Sequence, residues 1–400
     1  MSNILIVTPK IPCPPDDGFR IRIFNFIKSL SDKNKIYLLS IVTSPEEKQR
    51  INTLLPFCTK IYTISNFSKR SWLKIKLDSV KNILMENIPY GVKQYYFEEV
   101  ASQVNQIIKR HNIKILYLYY AWMGVYIDDL SEQTYKILDS CDAFSRFYRQ
   151  NYLNSKIITK KIRFYFEWKK MTNIERNLFP KFDKVLTVSP FDSMALKEIN
   201  PNINIEVISN GVDLKYFQKT DEVETKINEL IFTGTMNYGP NVDAVLFFYR
   251  QILPLIKKRI PDVIFNIVGK SPSKHIINIS IDPSLNVTGK VLDIRPYMER
   301  SNIFVCPLRY GAGIKNKVLE AMAMGLPVVC TKISNEGIGA VNGRDLLIAD
   351  NPQSFADAAI KIMLNKDLRQ SLSVNSRNFV ESNFDWSIMA SKIQSIIDLV

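Results

Sequence analysis

One short segment of this sequence combines residue types that can bind a phosphorylated ligand. In RYGAGIKNKVLE, Gly311 and Gly313 stand just before Lys315, Lys317 and Glu320. Glycine lets a ligand phosphate approach the backbone closely, and two ammonium groups add the positive charge that suits a diphosphate. A carboxylate one helical turn further along can accept hydrogen bonds from vicinal hydroxyl groups, as acidic residues do with ribose. These spacings predict a site for an anionic ligand that also carries hydroxyl groups.

The elements around this segment would place it at the edge of a parallel sheet. The apolar runs 303–308 and 327–331 predict two buried strands, joined by a helix that begins near Ile314 and stops at Gly325. The N-terminus of such a helix points free backbone N–H groups and a partial positive charge at the loop. The alternative, an ordinary loop and a helix with a solvated charged face, explains the paired glycines and lysines less well.

Four further positions extend the predicted site. Gly234 ends the apolar strand 229–234, and Gly18 precedes the first predicted helix, so both stand where a loop opens beside a predicted element. Arg20 and Arg22 follow Gly18 closely and are candidates for contact with a second substrate, the acceptor of a transferred group. In the alternative interpretation Gly234 is a plain turn glycine and both arginines are surface residues.

Strands that alternate with helical stretches predict two doubly wound parallel sheets. The pattern runs once through the first half and restarts at residue 229, after the turn-forming and then charged segment 210–224. We therefore predict an α/β protein with two Rossmann-like domains whose facing strand ends form one interdomain cleft. The predicted strands are 4–9, 36–42, 60–64, 113–120, 135–141, 184–189 and 206–209, then 229–234, 263–269, 286–291, 303–308, 327–331 and 346–349, with a long helix at 241–259.

Length and composition set further limits. A chain of 400 residues is long for one domain, and no apolar stretch reaches the 18 or so residues that a membrane-spanning helix needs. The start of the chain lacks the layout of a signal peptide. Five scattered cysteines and only two histidines argue against a disulfide framework and against a metal site. We expect a cytoplasmic protein that holds no metal.

Positive charge is concentrated in the first half. Residues 1–208 hold 31 Lys and Arg against 20 Asp and Glu, which is +11 of the net +14. This balance suggests an anionic partner (nucleic acid, a membrane surface or a phosphorylated substrate), although a Lys-rich solvated surface explains it equally well. No recognition helix or RNA-binding motif supports nucleic acid. The sequence also lacks a nucleotide phosphate loop and a nucleophile elbow. It lacks a dinucleotide fingerprint because Asn316 occupies the third glycine position.

Taken as one string, the C-terminal half resembles the family 4 glycosyltransferases of the GT-B fold. The resemblance is carried by FTGTMNYGPNVDAV, DIRPYMERSNIFVCPLRYGAGIKNKVLEAMAMGLPVVCT and DLLIADNPQSFADA. It looks closest to bacterial transferases of exopolysaccharide and other surface-polysaccharide pathways. The opening PKIPCPPDDGFRIRIFNFIKSL is similar to the N-terminal loop and helix of that branch, and about half of the chain matches well.

The sequence departs from the family pattern at three places. Glu320 matches the second of two family glutamates, but Ala312 occupies the position of the first. Where many members carry a histidine after the central N-terminal strand, this chain reads LYYAWMGVY. The basic pair that usually follows the first C-terminal strand is replaced by GTMNYGPN, and Lys315 and Lys317 are candidates to supply that charge.

The resemblance implies a retaining, metal-independent transfer of a sugar from a nucleotide-sugar donor to a hydroxyl group of a glycan or polyprenyl-linked acceptor, without a cofactor. Residues 1–209 would form the acceptor-side domain, residues 210–380 the donor domain, and residues 381–400 a helix packed back on the first. Lys315 and Glu320 are the predicted catalytic residues, Glu320 as a donor anchor rather than a general base. The predicted donor-binding residues are Gly18, Gly234, Gly311, Gly313, Lys315, Lys317 and Glu320. Lys317 is the weaker lysine because, on a helix, it would face away from Lys315.

A sugar-nucleotide 2-epimerase is the competing enzyme class, since such isomerases also use two Rossmann-like domains. They need acid and base side chains in the cleft, and this sequence offers few. A basic nucleic-acid-binding protein is the weaker alternative.

Two basic, aromatic segments suggest peripheral attachment to an anionic membrane surface without insertion. Residues 67–87 mix apolar side chains with five basic ones. Residues 156–181 place Phe164, Tyr165, Phe166 and Trp168 among eight basic ones. We therefore expect this face to lie on the inner side of the cytoplasmic membrane. For 67–87, a basic helix packed on the sheet is at least as good an interpretation.

Overall fold

The computed structural model describes residues 1–42, 44–65, 88–130, 134–220, 224–311 and 313–400. The segment 67–87 and Ala312 lie outside the described residues. The chain divides into two compact units: unit 1 comprises residues 1–209 and 389–400, and unit 2 comprises residues 210–388. The acceptor-side and donor-binding roles that the sequence assigns to the two halves stay predictions.

Unit 1 is built on a parallel sheet of seven strands. They are β1 (Asn3–Thr8), β2 (Lys35–Val42), β3 (Lys60–Ser65), β4 (Ile115–Tyr119), β5 (Tyr135–Cys141), β6 (Lys184–Thr187) and β7 (Ile205–Val207). Their order across the sheet is β3-β2-β1-β4-β5-β6-β7, and every neighbouring pair is parallel. Because helices cover both faces, β1 and β4 are buried along almost their whole length and consist of continuous apolar runs.

The helices of unit 1 follow the strands in alternation. They are α1 (Gly18–Ser31), α2 (Pro45–Gln49), α3 (Tyr90–Lys93), α4 (Glu98–His111), α5 (Phe144–Asn154), α6 (Ile158–Asn177) and α7 (Pro190–Ile199), with 3₁₀ turns at Arg50–Leu54, Ala121–Asp129 and Phe179–Lys181. Helix α1 begins at Gly18 because the Asp17 carboxylate accepts a hydrogen bond from the Arg20 N–H. Its apolar face, Ile23, Phe26, Ile27 and Leu30, is buried.

Unit 2 repeats this architecture with six parallel strands. They are β8 (Lys226–Thr233), β9 (Ile264–Val268), β10 (Leu285–Gly289), β11 (Ser301–Cys306), β12 (Val328–Cys330) and β13 (Leu347–Ile348). The order β10-β9-β8-β11-β12-β13 places the first strand of the unit beside the fourth. The strand order reverses between β8 and β11, and ligands of such sheets bind outside the carboxyl ends of the strands at that point. The two sheets confirm the prediction of two doubly wound parallel halves.

The helices of unit 2 are α8 (Gly239–Phe247), α9 (Leu253–Lys257), α10 (Lys274–Ile279), α11 (Arg295–Arg300), α12 (Asn316–Ala323), α13 (Lys332–Asn335), α14 (Pro352–Leu364) and α15 (Lys366–Asn383). The helix predicted at 241–259 is instead interrupted by a π-helical turn, Phe248–Ile252. Pro254 follows that turn and has no N–H to donate to the helical ladder, which accounts for the interruption.

The last helix, α16 (Trp386–Ile397), begins in unit 2, and its residues from Met389 onward belong to unit 1. Within unit 1, Asn34 donates a hydrogen bond to Gln394 Oε1 at 3.0 Å. Across the residues that the structure describes, no helix is both long enough and apolar enough to cross a bilayer.

Candidate functional site

The glycine-rich loop that follows β11 encloses a lysine ammonium group. Gly311 (φ +136°) and Gly313 (φ +69°) adopt conformations that other residues rarely take. Their carbonyl oxygens accept hydrogen bonds from Lys315 Nζ at 3.3 and 2.5 Å, and Lys315 is 8% exposed. The loop therefore folds around Lys315 and holds its positive charge in a fixed position.

Helix α12 begins two residues later than the sequence predicts. It starts at Asn316, and Lys315 (φ −95°, ψ 84°) precedes it in a non-helical conformation. Helical spacing does not relate a residue outside the helix to one inside it, so the argument that ranked Lys317 below Lys315 does not apply here. The two ammonium groups are close enough for Lys315 to lower the pKa of Lys317.

Lys317 lies against the loop after β8. Its Nζ donates a hydrogen bond to Asn241 Oδ1 at 2.6 Å and sits 4.1 Å from the ring centroid of Phe232. A Cβ atom added to Gly234 (φ +150°) would lie only 2.7 Å from Lys317 Nζ and from Asn241 Nδ2. A side chain at Gly234 would therefore displace the lysine, so glycine is required here by space as well as by conformation.

Two residues that the sequence analysis missed complete this edge of the sheet. Asn241 is buried near the start of α8, where its Nδ2 donates to the Thr235 carbonyl oxygen at 3.0 Å. Gly269 (φ +152°) follows β9, and a Cβ there would lie 1.7 Å from the Gly234 carbonyl oxygen. The position of Gly269, directly after an apolar strand, is the sequence feature that could have identified it.

Burial shifts the pKa values of two charged groups of this site toward neutral pH. It lowers the pKa of Lys317 to about 8, and the positive charge of Lys315 acts in the same direction while Cys306 and Glu320 oppose it. Burial raises the pKa of Glu320 to about 7, against the attraction of Lys317. An anion bound beside Lys317 would favour its protonated form and so be met by a full positive charge.

The structure thus brings together Gly234, Lys317 and Asn241 around the end of β8, with Glu320 one turn along α12. The Gly311 loop adjoins them, because a Cβ at Gly311 would contact both Pro240 and Lys315. All these residues belong to unit 2. In the described part of the chain, no three His, Cys, Asp or Glu side chains are grouped so as to hold a metal ion.

The remaining predicted residues belong to unit 1 and lie at the start of α1. Gly18 is the exposed first residue of the helix. Arg20 pairs with Asp16 at 3.2 Å, with Asp17 at 3.0 Å and with Glu47 at 3.5 Å. Its Nε also donates to the Ile11 carbonyl oxygen. Arg20 therefore ties down the loop that precedes α1.

Arg22 does not fit its predicted role as an acceptor-side residue. It is 1% exposed, and its Nε donates to Asp139 Oδ2 at 2.8 Å. Its Nη1 donates to the carbonyl oxygens of Ile208 and Ser209, at the end of β7. The alternative interpretation of a surface arginine is equally wrong, since the guanidinium is fixed inside unit 1.

An aromatic cluster stands after β4, where the chain reads LYYAWMGVY. Tyr120 (φ +86°) has a backbone conformation that is rare for a non-glycine residue. Its ring packs edge-on against Phe19 at 5.0 Å, Trp122 at 4.8 Å and Phe144 at 5.0 Å. The sequence marks this segment only as a departure from the family pattern and does not show which of its rings meet.

Comparison with known proteins shows what this chain is similar to. Residues 227–365 match the family described as glycosyl transferases group 1. An uncharacterized 44.6 kDa protein in the cps region of Klebsiella pneumoniae is 23% identical over 98% of this chain and 99% of its own length. A UDP-Gal:alpha-D-GlcNAc-diphosphoundecaprenol alpha-1,3-galactosyltransferase of Escherichia coli is 27% identical over 50% of this chain and 55% of its own length.

A solved structure supports the fold assignment. Anabaena Alr3699/HepE, in complex with UDP and glucose, has a TM-score of 0.69 with this chain at 13% identity, and the match covers 100% of both chains. Likeness at this level concerns the fold, and it confirms the predicted GT-B class.

Proposed function

We propose that this glycosyltransferase, whose residues 227–365 match glycosyl transferases group 1, transfers a sugar, with retention of configuration, from a nucleotide-diphosphate donor to an acceptor hydroxyl group. The acceptor is a glycan or a polyprenyl-linked saccharide of bacterial surface-polysaccharide assembly. The fold and family alone leave the donor, the stereochemistry and the acceptor open, so these belong to the proposal.

The cationic, glycine-lined edge of unit 2 is the observation that carries the proposal. As the glycosidic bond breaks, its electron pair passes to the diphosphate oxygen, which gains negative charge. Lys317 is held by Asn241 and the Phe232 ring, and Lys315 by its own loop, so neither ammonium group needs to reorganise when that charge develops. Preorganised cations at a developing oxyanion are the usual source of large rate effects.

Glu320 suits a role in donor binding. Its carboxyl group lies on α12 in the electrostatic reach of Lys317, and it can accept hydrogen bonds from sugar hydroxyl groups. Within a front-face mechanism, the acceptor oxygen attacks the anomeric carbon from the side that the diphosphate leaves. The departing phosphate oxygen takes the acceptor proton, so the reaction needs no protein base and no metal ion.

The names of two relatives support the choice of substrates. The Escherichia coli relative uses UDP-Gal and an acceptor in which GlcNAc is attached through a diphosphate to undecaprenol. The Klebsiella pneumoniae relative is encoded in a cps region, and a further relative from Staphylococcus aureus is a capsular polysaccharide biosynthesis glycosyltransferase. A lipid-linked acceptor requires the enzyme to work at a membrane surface.

Unit 1 has a surface suited to such attachment, at the tip of the hairpin formed by α5 and α6. Leu153, Ile157, Ile158 and Ile162 are 61%, 53%, 68% and 50% exposed. We call the adjoining residues Lys160, Lys161 and Arg163 the basic tip. Exposed apolar side chains beside cations favour peripheral binding to anionic lipids.

A screen of nucleotide sugars tests the donor assignment. A bound donor stabilises the folded protein by a free energy that grows with the logarithm of its concentration over its dissociation constant, and so raises the melting temperature. The best stabiliser is then incubated with and without acceptor. We expect nucleotide release only with acceptor. Conversion of the donor sugar without acceptor would indicate an epimerase, and stabilisation by no nucleotide sugar would overturn the donor site.

A further inference from the structure

A cationic cavity lies in unit 1, beside the hairpin formed by α5 and α6. It is enclosed by α5, α6 and α7 and has a volume of about 430 Å³. Three arginines line it: Arg146, Arg149 and Arg176. Trp168, Phe191 and Met194 supply an apolar wall, and Glu198 is the one acidic residue among the described residues that line it.

The arginines are presented to the cavity in two ways. Arg146 is anchored by the fully buried Asp192, 3.8 Å away, and lies over the Phe191 ring. The Arg149 guanidinium lies over the Trp168 ring, 5.8 Å from its centroid. In the described ranges neither Arg149 nor Arg176 has an acidic side chain within ion-pair distance, so both charges are available to an incoming anion.

One face of α6 connects this cavity with the hairpin tip. Ile158, Ile162 and Tyr165 follow one another at helical spacing and are 68%, 50% and 39% exposed. Trp168, Thr172 and Arg176 continue the same face into the cavity. At 1.5 Å per residue, the apolar stripe and the cationic end span about 27 Å of helix. A ligand laid along it would need an anionic head and an apolar tail.

We propose that this cavity binds the phosphate or diphosphate group of a lipid-linked acceptor, with the lipid chain leaving along the exposed face of α6. The inference rests on the proposed function, which supplies the lipid-linked acceptor, and adds the residues that recognise its head group. Guanidinium groups match phosphate oxygens in bidentate geometry. A bound lipid chain would cover Ile158, Ile162 and Tyr165, which accounts for the apolar side chains exposed beside a charged cavity.

Calorimetric titration of the full chain with farnesyl diphosphate tests the site, alongside farnesol and inorganic pyrophosphate as partial probes. We expect farnesyl diphosphate to bind more tightly than either partial probe. Arg149→Ala and Arg176→Ala should each weaken it by about tenfold, the usual loss for one charged hydrogen bond. Both arginines are exposed, so both variants should fold. Lys197→Ala, which removes a charge from α7 outside the cavity, is the matched control and should bind as the wild type does.

Two results would overturn the proposal. If farnesyl diphosphate does not bind, or binds equally to the arginine variants, the cavity is not its site. If pyrophosphate binds as tightly as farnesyl diphosphate and Ile162→Ser has no effect, the cavity takes a free anion rather than a lipid. Nucleotide-sugar binding, measured on the same variants, should be unchanged. If neither the wild type nor any variant binds a nucleotide sugar, the proposed function is refuted instead.

Discussion

Replacement of Lys317 by alanine removes the ammonium group that the structure places between Gly234, Asn241 and Phe232. That group is fixed before the donor binds, so its loss removes one preorganised contact to the leaving diphosphate. Such contacts contribute roughly 2.7–4 kcal/mol, and we expect kcat to fall by about 10²–10³. Lys317 is partly exposed, and Asn241 keeps its hydrogen bond to the Thr235 carbonyl oxygen, so the variant should fold.

The lowered pKa of Lys317 allows a second measurement to test this prediction. With a pKa of about 8, the side chain of the free enzyme is about nine-tenths protonated at pH 7 and about one-tenth at pH 9. The wild-type kcat/KM should therefore fall about tenfold over that range, because the neutral amine cannot stabilise the diphosphate. In Lys317→Ala the dependence on this group is lost, so its kcat/KM should be low and nearly flat.

The assay measures kcat and kcat/KM from pH 6.5 to 9.5 with the donor found in the nucleotide-sugar screen. Lys361→Ala, which removes an exposed lysine from α14 in the same unit, is the control and should match the wild type at every pH. The reasoning is refuted if Lys317→Ala retains near wild-type kcat, or if it keeps the same alkaline fall as the wild type.

Three further predictions follow from the described contacts. Gly234→Ala should push Lys317 aside and lower kcat/KM at least tenfold. Gly343→Ala, at a φ of +82° with open space around it, should cost only stability, about 1–3 kcal/mol by thermal unfolding. Because folding raises the Glu320 pKa from 4.5 to about 7, the folded wild type binds the extra proton and loses stability as pH rises through that window. Glu320→Gln should lack this loss in melting curves, and an unchanged slope would contradict the assignment. The wild type should co-sediment with anionic vesicles at low salt, and less so when the basic tip is changed to Glu; a protein that stays in the supernatant would exclude this attachment.

The arrangement of both sheets could be predicted because buried parallel strands are continuous apolar runs that alternate with amphipathic helices. The ends of elements were less predictable. Helix α12 starts at Asn316 rather than near Ile314, since the Gly311 and Gly313 carbonyl groups bind Lys315 and keep it outside the helix. This shift of two residues removes the helical-spacing argument about Lys317, because the direction of a side chain depends on where its helix begins.

The features that the sequence did not predict depend on contacts between segments that are distant along the chain. Arg22 looked like a surface or acceptor-side residue because its partner, Asp139, is 117 positions away and no local pattern links them. Asn241 is read from sequence as an ordinary residue at a helix start, and only the fold shows that it holds Lys317, 76 positions away. The loop glycines and Glu320, in contrast, are local features that the sequence could identify.

The stereochemistry of the product tests the central claim most directly. The enzyme is incubated with an α-linked nucleotide sugar and acceptor, and proton NMR of the isolated product reports the configuration of the new glycosidic bond. In the proposed mechanism the diphosphate leaves from the same face that the hydroxyl group attacks, and it takes the proton of that hydroxyl group. The product is therefore expected to be α-linked and to form without added metal. A β-linked product would contradict the front-face mechanism assigned to the lysine-lined edge of unit 2.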